Sequence, residues 1–355
     1  MYLPKLSHHF KVVIFTILFM VLFPVTVVLF SPIYIFRFIL SYVIKFLRPD
    51  LHSLVATRST VLATDSPYDK PNWNLCVWLV LDGKLNIDVL RENFYSNIVL
   101  KKWPNGNLVN PQYQQYITRW MGFLFWKWEK KFDMFHHIRP YFTEQNQDSR
   151  VNSMQLKQII KELTWAPFEA KKSPWEFLFI PHYISSERNF CPKKSKAESV
   201  LILRVHHGIC DGFTILRLLM EEVNNISLVN VAKPSRPKLS MVQQAVNAFF
   251  FWIRGPYMFM KMMAEINDNN AWHLPKEQLT RPKNTDFTPR ISLEYIKGIK
   301  RANEVSFSAV LIAAITGAIR RMMIRKNVRI PPEITVAFPL PIPRDDPENL
   351  LRNLL

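Results

Sequence analysis

Cysteine is nearly absent from this chain. Three residues in 355, Cys76, Cys191 and Cys210, are too few and too scattered for a disulfide framework or a cysteine-based zinc site, and they suit a body that faces a reducing compartment. Acidic side chains are also short. The 28 Asp and Glu against 46 Lys and Arg leave a formal charge of +18, which fits attraction to anionic headgroups, nucleic acid or phosphate-bearing ligands. No nucleic-acid reader module is present, nor basic and aromatic residues interleaved on one surface, so nucleic acid is set aside as a partner. No internal repeat is visible. What the chain does have is apolar residues, 48% of the total, enough core for one large domain or two and too many for a disordered chain.

Charge is missing from residues 12–30, a run broken only by Thr16, Pro24 and Thr26 and long enough to cross hydrocarbon as a helix. A cleaved signal peptide is the rival reading. The run is long for one, however, and no small-x-small cleavage site follows it, because residues 33–46 stay apolar. In that second piece Arg37, Ser41 and Lys45 recur at i, i+4 and i+8 on one side of a helix, the pattern of a helix lying in the interface. The expectation is a membrane anchor over residues 1–50, with a single span at 12–30 and an interfacial helix at 33–47; a shallow hairpin is the alternative. Arg37, Lys45 and Arg48 outweigh Lys5 and Lys11, which puts the body on the cytosolic side.

Beyond Arg48-Pro49-Asp50 the composition becomes that of a soluble domain, expected over residues 51–230. Leu75 to Leu81 reads as a buried strand, Asp82-Gly83 as a turn and residues 86–100 as a helix. Residues 120–135 mix aromatics with lysines, either an element packing its rings into the core or an interfacial patch. The His136-His137 pair after it lacks an Asp-Gly and reads as structural. Pro167 to Glu176 is a proline-bounded loop into a strand that Pro181 ends, and residues 190–198 form a loop tip. Residues 231–290 read as a linker carrying an apolar segment, 246–263, whose interruption at Arg254-Gly255-Pro256 makes it membrane-dipping or acyl-contacting rather than spanning. A helix follows from Ser306, its cap, to Lys326, with Val310, Leu311, Ala314, Ile315 and Ala318 on the apolar face and Arg320, Arg321, Arg325 and Lys326 at its C-terminal end. Ile334 to Phe338 reads as a strand. Residues 291–355 would thus begin a second unit that stops short at Leu355.

The densest chemistry lies between Val200 and Asn225. Six mostly β-branched or leucine residues end in His206-His207, an Asp211-Gly212 turn follows, and then a periodic apolar run, which reads as strand, loop and helix. His-His-x-x-x-Asp-Gly should arise by chance in about 10⁻⁴ of chains of this composition. A strand sends adjacent side chains to opposite faces, so one histidine can serve a cavity while the other supports it. The same alternation, with no third ligand at a useful spacing, argues against a metal site. Cys210, an isolated thiol beside an apolar run, reads as packing. A neutral imidazole at a strand end is a well-aimed general base near pH 7. His207 in that role could take a hydroxyl proton, and the alkoxide could attack a thioester carbonyl with no metal or covalent intermediate. Asp211 could cap the helix or pair with an arginine, and Gly212 could allow a conformation or close approach that a Cβ would block.

With these residues in view, His206-His207-x-x-x-Asp211-Gly212 resembles the active-site motif of the coenzyme A dependent acyltransferases of the chloramphenicol-acetyltransferase fold. The Pro167-Phe168 and Ser173-Pro174-Trp175-Glu176 loop is similar to the wax ester synthase/diacylglycerol acyltransferase branch, and the likeness runs over residues 68–353. It implies an α/β fold of the α+β two-layer sandwich type, in two related domains with a channel between them. It also implies His207 as general base, His206, Asp211 and Gly212 as its supports, and Pro174, Trp175 and Glu176 as substrate-binding residues. The implied donor is acyl-coenzyme A, a co-substrate with no further cofactor, and the acceptor a long-chain alcohol or diacylglycerol at the membrane of the endoplasmic reticulum. The family's Asn-Asp pair ahead of the second-domain helix falls near Ser308-Ala309 here, and the family continues past the position of Leu355. Two other functions stay open: a non-catalytic lipid-binding membrane protein of the same fold, and a condensation enzyme that makes an amide from a carrier-bound acyl group.

Overall fold

The computed structural model describes residues 3–83, 85–142, 150–184, 198–219, 239–265, 286, 288 and 291–336. In chain order the elements are α1 (Leu3–Leu47), β1 (Leu51–Leu54), α2 (Thr57–Leu62), β2 (Asn74–Asp82), α3 (Ile87–Phe94), β3 (Gln115–Trp120), β4 (Phe123–Trp128), α4 (Met134–His137), β5 (Ile138–Pro140), β6 (Val151–Asn152), α5 (Ser153–Trp165), β7 (Trp175–Ile184), β8 (Glu198–His206), α6 (Gly212–Arg217), α7 (Met241–Glu265), α8 (Leu293–Ala302) and α9 (Phe307–Arg325). Two compact units divide the chain. One comprises Met1–Phe36, Arg236–Arg281 and Pro289–Phe338, the other Arg37–Ser235, Pro282–Thr288 and Pro339–Leu355.

The second of these units is an α/β sandwich organised by a sheet in the order β2-β8-β7-β5, with β6 also on β7. β2 runs antiparallel to β8 from Asn74 opposite His206 to Asp82 opposite Glu198. β7 is antiparallel to β8, and β5 and β6 are parallel to β7. Two-residue alternation gives this sheet two apolar faces. Trp175, Phe177 and Phe179 of β7 join Leu201, Leu203 and Val205 of β8 in one core. Leu178 and Ile180 join Val200 and Ile202 in the other. α5 covers the second face with Leu156, Ile159, Ile160 and Leu163, an i, i+3, i+4, i+7 stripe. Its start is set by a capping box in which Asn152 and Gln155 exchange side chain to backbone bonds. α3, capped by Asn86, covers the first face with Leu90 and Phe94. The helix expected to Leu100 ends in a wider turn, closed by the Leu100 N–H on Tyr95 O at 2.9 Å. Each large side chain buried this way contributes about 2 kcal/mol.

β1, β4 and β3 form a smaller sheet in that order. β3 and β4 are joined through Met121 and Gly122 alone, with φ of +49° and +81°, the two left-handed residues of a type I′ hairpin. Of the aromatics in residues 120–135, Phe125 and Trp126 are buried in the core, while Trp128 and Phe135 are exposed. Pro181 does not end β7 as expected. The register against β8 shifts between Ile180 and Tyr183, and such a bulge is where a strand tolerates a residue without an N–H.

The break expected between residues 30 and 33 is also absent, for α1 is one helix from Leu3 to Leu47 with Pro24 and Pro32 inside it. Pro32 has no N–H to offer the carbonyl of Val28, and Ser31 Oγ donates to that carbonyl at 2.8 Å. The stretch His9–Leu47, in which an 18-residue window has mean hydropathy 2.9, is long and apolar enough to cross a membrane, and so is α9, with a window at 1.6. Arg37, expected on a headgroup-facing stripe, donates instead to Val55 O at 2.7 Å. Ile44 packs with Leu51 and Phe125.

In the other unit, α7 runs unbroken through Arg254-Gly255-Pro256, where an interruption was expected. It meets α1 through Phe19 and Phe259, ring centroids 5.6 Å apart, and through His9 Nδ1 and Tyr257 OH at 3.1 Å. Ser306 caps α9 by accepting from Ala309 N–H at 3.1 Å, as the sequence predicts. The strand expected at Ile334 to Phe338 does not form over 334–336, since no neighbouring strand lies beside it among the described residues. Residues 337–338 fall outside the described residues, as do the loop tip at 190–197, Cys191, the end of the helix expected after Leu219, and most of the linker.

Candidate active site

β8 delivers the two histidines to the end of the larger sheet. The His206 N–H donates to Pro174 O at 2.9 Å and the His207 N–H to Trp73 O at 2.8 Å, so the chain on either side grips the pair as it leaves the strand. His206 is completely buried. Its Nδ1 accepts from Gly208 N–H at 3.2 Å, which leaves the ring proton on Nε2. Nε2 in turn lies 3.2 Å from Asp65 Oδ1, with its N–H turned off the line between them. His207 keeps 9% of its surface exposed and sets its ring edge-on to Trp73, centroids 6.4 Å apart. Of the two residues His207 keeps the only residual exposure, and its Nδ1 is itself buried.

Asp211 caps α6, its Oδ1 accepting from Thr214 N–H at 2.8 Å. Gly212 departs from expectation. Among the described residues a Cβ there would meet nothing within 4 Å, and its φ is not left-handed, so neither packing within the chain nor backbone conformation requires glycine. Gly208 is the constrained one, since a Cβ built on it would lie 2.7 Å from Ala63 Cβ and 3.1 Å from His206 Nδ1. Nothing in the sequence marks Gly208 beyond its place after the histidine pair.

Asp65 is the residue that sequence reasoning missed. Besides facing His206, its carboxylate accepts from the backbone N–H groups of Asn72 and Trp73 through Oδ2, at 2.5 and 3.2 Å. Burial pushes this carboxyl up, but the contact with His206 and the two backbone donors outweigh it, and the group sits below the usual carboxylate range. Its only signal in sequence is a turn-like Asp65-Ser66-Pro67, which says nothing about a histidine far along the chain.

Pro174, Trp175 and Glu176, expected to contact substrate, lie buried inside the fold. Trp175 is 1% exposed. Its Nε1–H donates to Tyr113 O at 2.8 Å, and its ring stacks on His137 at 4.4 Å and on Phe94 at 5.2 Å. Glu176 accepts from Arg204 Nε–H at 2.6 Å and from Arg139 at 2.8 Å. Arg204 also donates to the carbonyls of Leu163 and Ala166 at the end of α5. Together these residues fix β7 against β8, and Pro174 O anchors the His206 backbone. The His136-His137 pair is part of the same scaffold, with His137 Nε2 3.2 Å from Glu129. Cys210 is buried, and burial pushes the Cys76 thiol up to about 11. Among the described residues no three His, Cys, Asp or Glu side chains are grouped to hold a metal ion.

No protein-family model matches the chain, and no curated protein matches it. Among solved structures it is similar to the wax ester synthase/diacylglycerol acyltransferase from Marinobacter aquaeolei VT8, with TM-score 0.43 and 12% identity over 78% of this chain and 61% of that one. It is also similar to the first condensation domain of the CDA synthetase, with TM-score 0.41 and 11% identity over 76% and 61%. The SgcC5 protein from Streptomyces globisporus gives 0.39 and 12% over 75% and 59%. The chain spans about three fifths of the length of these structures. Likenesses at this level identify neither a reaction nor a substrate.

Proposed function

We propose that the protein is a membrane-anchored O-acyltransferase that moves a fatty acyl group from acyl-coenzyme A to a long-chain alcohol or diacylglycerol. The observation that carries the reading is the division of labour within the motif. His206 is sealed, with Nδ1 accepting from Gly208 and Nε2 facing the Asp65 carboxylate, while His207 stands next to it on a backbone held by Trp73 and keeps the residual exposure of the pair. A neutral His207 then takes the proton of the acceptor hydroxyl as the oxygen attacks the thioester carbonyl. The tetrahedral intermediate collapses with cleavage of the carbon–sulfur bond, and the imidazolium returns the proton to the departing coenzyme A sulfur. Asp211, Gly208 and the Pro174–Glu176 stretch hold the loop and strand that aim the imidazole. The net charge of +18 suits the phosphates of the donor, and the long apolar α1 gives the enzyme access to an acceptor dissolved in lipid. We assign the body to the cytosolic face of the endoplasmic reticulum membrane, with α1 as a single-pass anchor.

α7 fits this setting as a helix lying on the membrane. At 100° per residue Gln243, Asn247, Arg254, Lys261 and Glu265 fall within about 40° of one another, while Phe249, Trp252, Ile253 and Phe259, all exposed, share the opposite side. Such a helix lies in the interface with its apolar side in lipid.

The test is ester formation in membranes that carry the chain and are supplied with acyl-coenzyme A and either a fatty alcohol or diacylglycerol. His207→Ala should lower the rate by about 10²- to 10⁴-fold, the usual loss when a general base is removed. Equal rates for the variant and the wild type would overturn the mechanism.

A further inference from the structure

We infer that Asp65 is a positioning residue that clamps both histidines through one carboxylate, and the inference deepens the acyl-transfer reading on which it rests. One oxygen, Oδ1, faces the Nε2 of His206 at 3.2 Å. The other, Oδ2, holds the backbone N–H groups of Asn72 and Trp73. The Trp73 carbonyl holds the His207 N–H at 2.8 Å, and the Trp73 ring lies edge-on to the His207 ring. Asp65 therefore faces His206 directly across 3.2 Å and reaches His207 through a single residue, Trp73. The contact also selects a tautomer: Gly208 N–H occupies Nδ1, and a carboxylate at Nε2 favours the proton there. Two residues back, Ala63 fills the space against Gly208. The segment from Ala63 to Asp65 thus lies directly against the loop that carries the histidines, with Ala63 setting its distance and Asp65 its orientation. Holding a reacting side chain through the groups around it is what keeps its geometry within the narrow range that proton transfer tolerates.

The experiment uses the full chain in nanodiscs with 15N-labelled histidine, the His206 signals being assigned by their loss in His206→Gln. Wild type should show His206 as one tautomer, protonated at Nε2, and a protected His207 amide. Asp65→Asn, nearly identical in shape, should turn the His206 signals into a tautomer average. Asp65→Ala should speed exchange of the His207 amide by about tenfold or more, the expectation when a backbone bond loses its support. In turnover, Asp65→Asn should lower kcat by about 10- to 100-fold with the KM for acyl-coenzyme A unchanged, the signature of misaimed chemistry rather than lost binding. An unchanged His206 tautomer together with an unchanged His207 exchange rate would overturn the clamp. So would a full kcat in Asp65→Asn where His207→Ala is inactive. If His207→Ala is as active as the wild type, the acyl-transfer reading fails by itself, and the tautomer and exchange measurements still decide whether Asp65 holds the pair.

Discussion

Replacing Gly208 by alanine should damage the protein far more than replacing Gly212, although Gly212 is the glycine the motif draws attention to. A Cβ on Gly208 would stand 2.7 Å from Ala63 Cβ, 3.4 Å from Ala63 Cα and 3.1 Å from His206 Nδ1. Carbon atoms rest at about 3.5–4.0 Å, so the first contact alone is short by about 1 Å. Neither carbon is at the end of a flexible side chain, and relief requires a backbone shift of the loop or of the Ala63 segment. Forced overpacking of this kind costs about 1–3 kcal/mol. For a unit of this size each kcal/mol lowers the melting temperature by about 2–4 °C, so Gly208→Ala should melt about 2–12 °C below the wild type. The same shift displaces His207, and turnover should fall at least about tenfold as proton-transfer geometry is lost. At Gly212 nothing lies within 4 Å and φ is not left-handed. Alanine in the first turn of α6 should therefore be neutral, or stabilising by about 0.5 kcal/mol through helix propensity. Combining Ala63→Gly with Gly208→Ala removes the closest atom and should recover part of the lost melting temperature. Scanning fluorimetry of the four proteins, with turnover beside it, tests the argument. The reasoning is refuted if Gly208→Ala melts with the wild type, or if Gly212→Ala is the more damaging of the two.

Two further outcomes follow from particular contacts. Because the Asp65 carboxyl is held below its ordinary value in the folded chain, it adds stability that is fully present above the unfolded carboxylate pKa of about 3.9 and is lost as pH falls through the lower folded value. The margin of wild type over Asp65→Asn in thermal melts should hold from pH 7 down to about pH 4 and shrink below it; a margin that grows with acid would contradict the sign. If α7 lies with its aromatic side in lipid, Trp252→Phe should reduce the fraction of tryptophan emission that brominated lipids quench in nanodiscs. Unchanged quenching would remove α7 from the bilayer.

Elements whose pattern is local were legible in the chain itself. The strand at Leu75 to Leu81, the strand ending at His206 and the Ser306-capped helix appear where periodicity and the capping residue place them, and the helix read from residue 86 starts there but ends at Phe94, because hydrophobic alternation and a side-chain cap act within a few residues. Breaks were overestimated. The junction between residues 30 and 33, Pro181 and Arg254-Gly255-Pro256 all read as breaks, yet each element continues through them. A hydroxyl from Ser31 or a bulge opposite β8 supplies what the proline removes, and neither compensation is visible from the proline alone.

By itself the sequence determined that an apolar N-terminal helix exists, that a buried strand ends in His206 and His207, and that Asp211 starts the helix after it. These depend on residues close together, whose spacing is carried by the chain. Only the tertiary structure decided what surrounds that strand end: that Asp65 and Ala63 lie against the histidines, that a Cβ is crowded at Gly208 and not at Gly212, and that Trp175 and Glu176 are enclosed by His137, Phe94 and Arg204. Those relations join residues far apart in the chain, and a one-dimensional pattern holds no record of which distant side chain will close over a given atom once the sheet has formed.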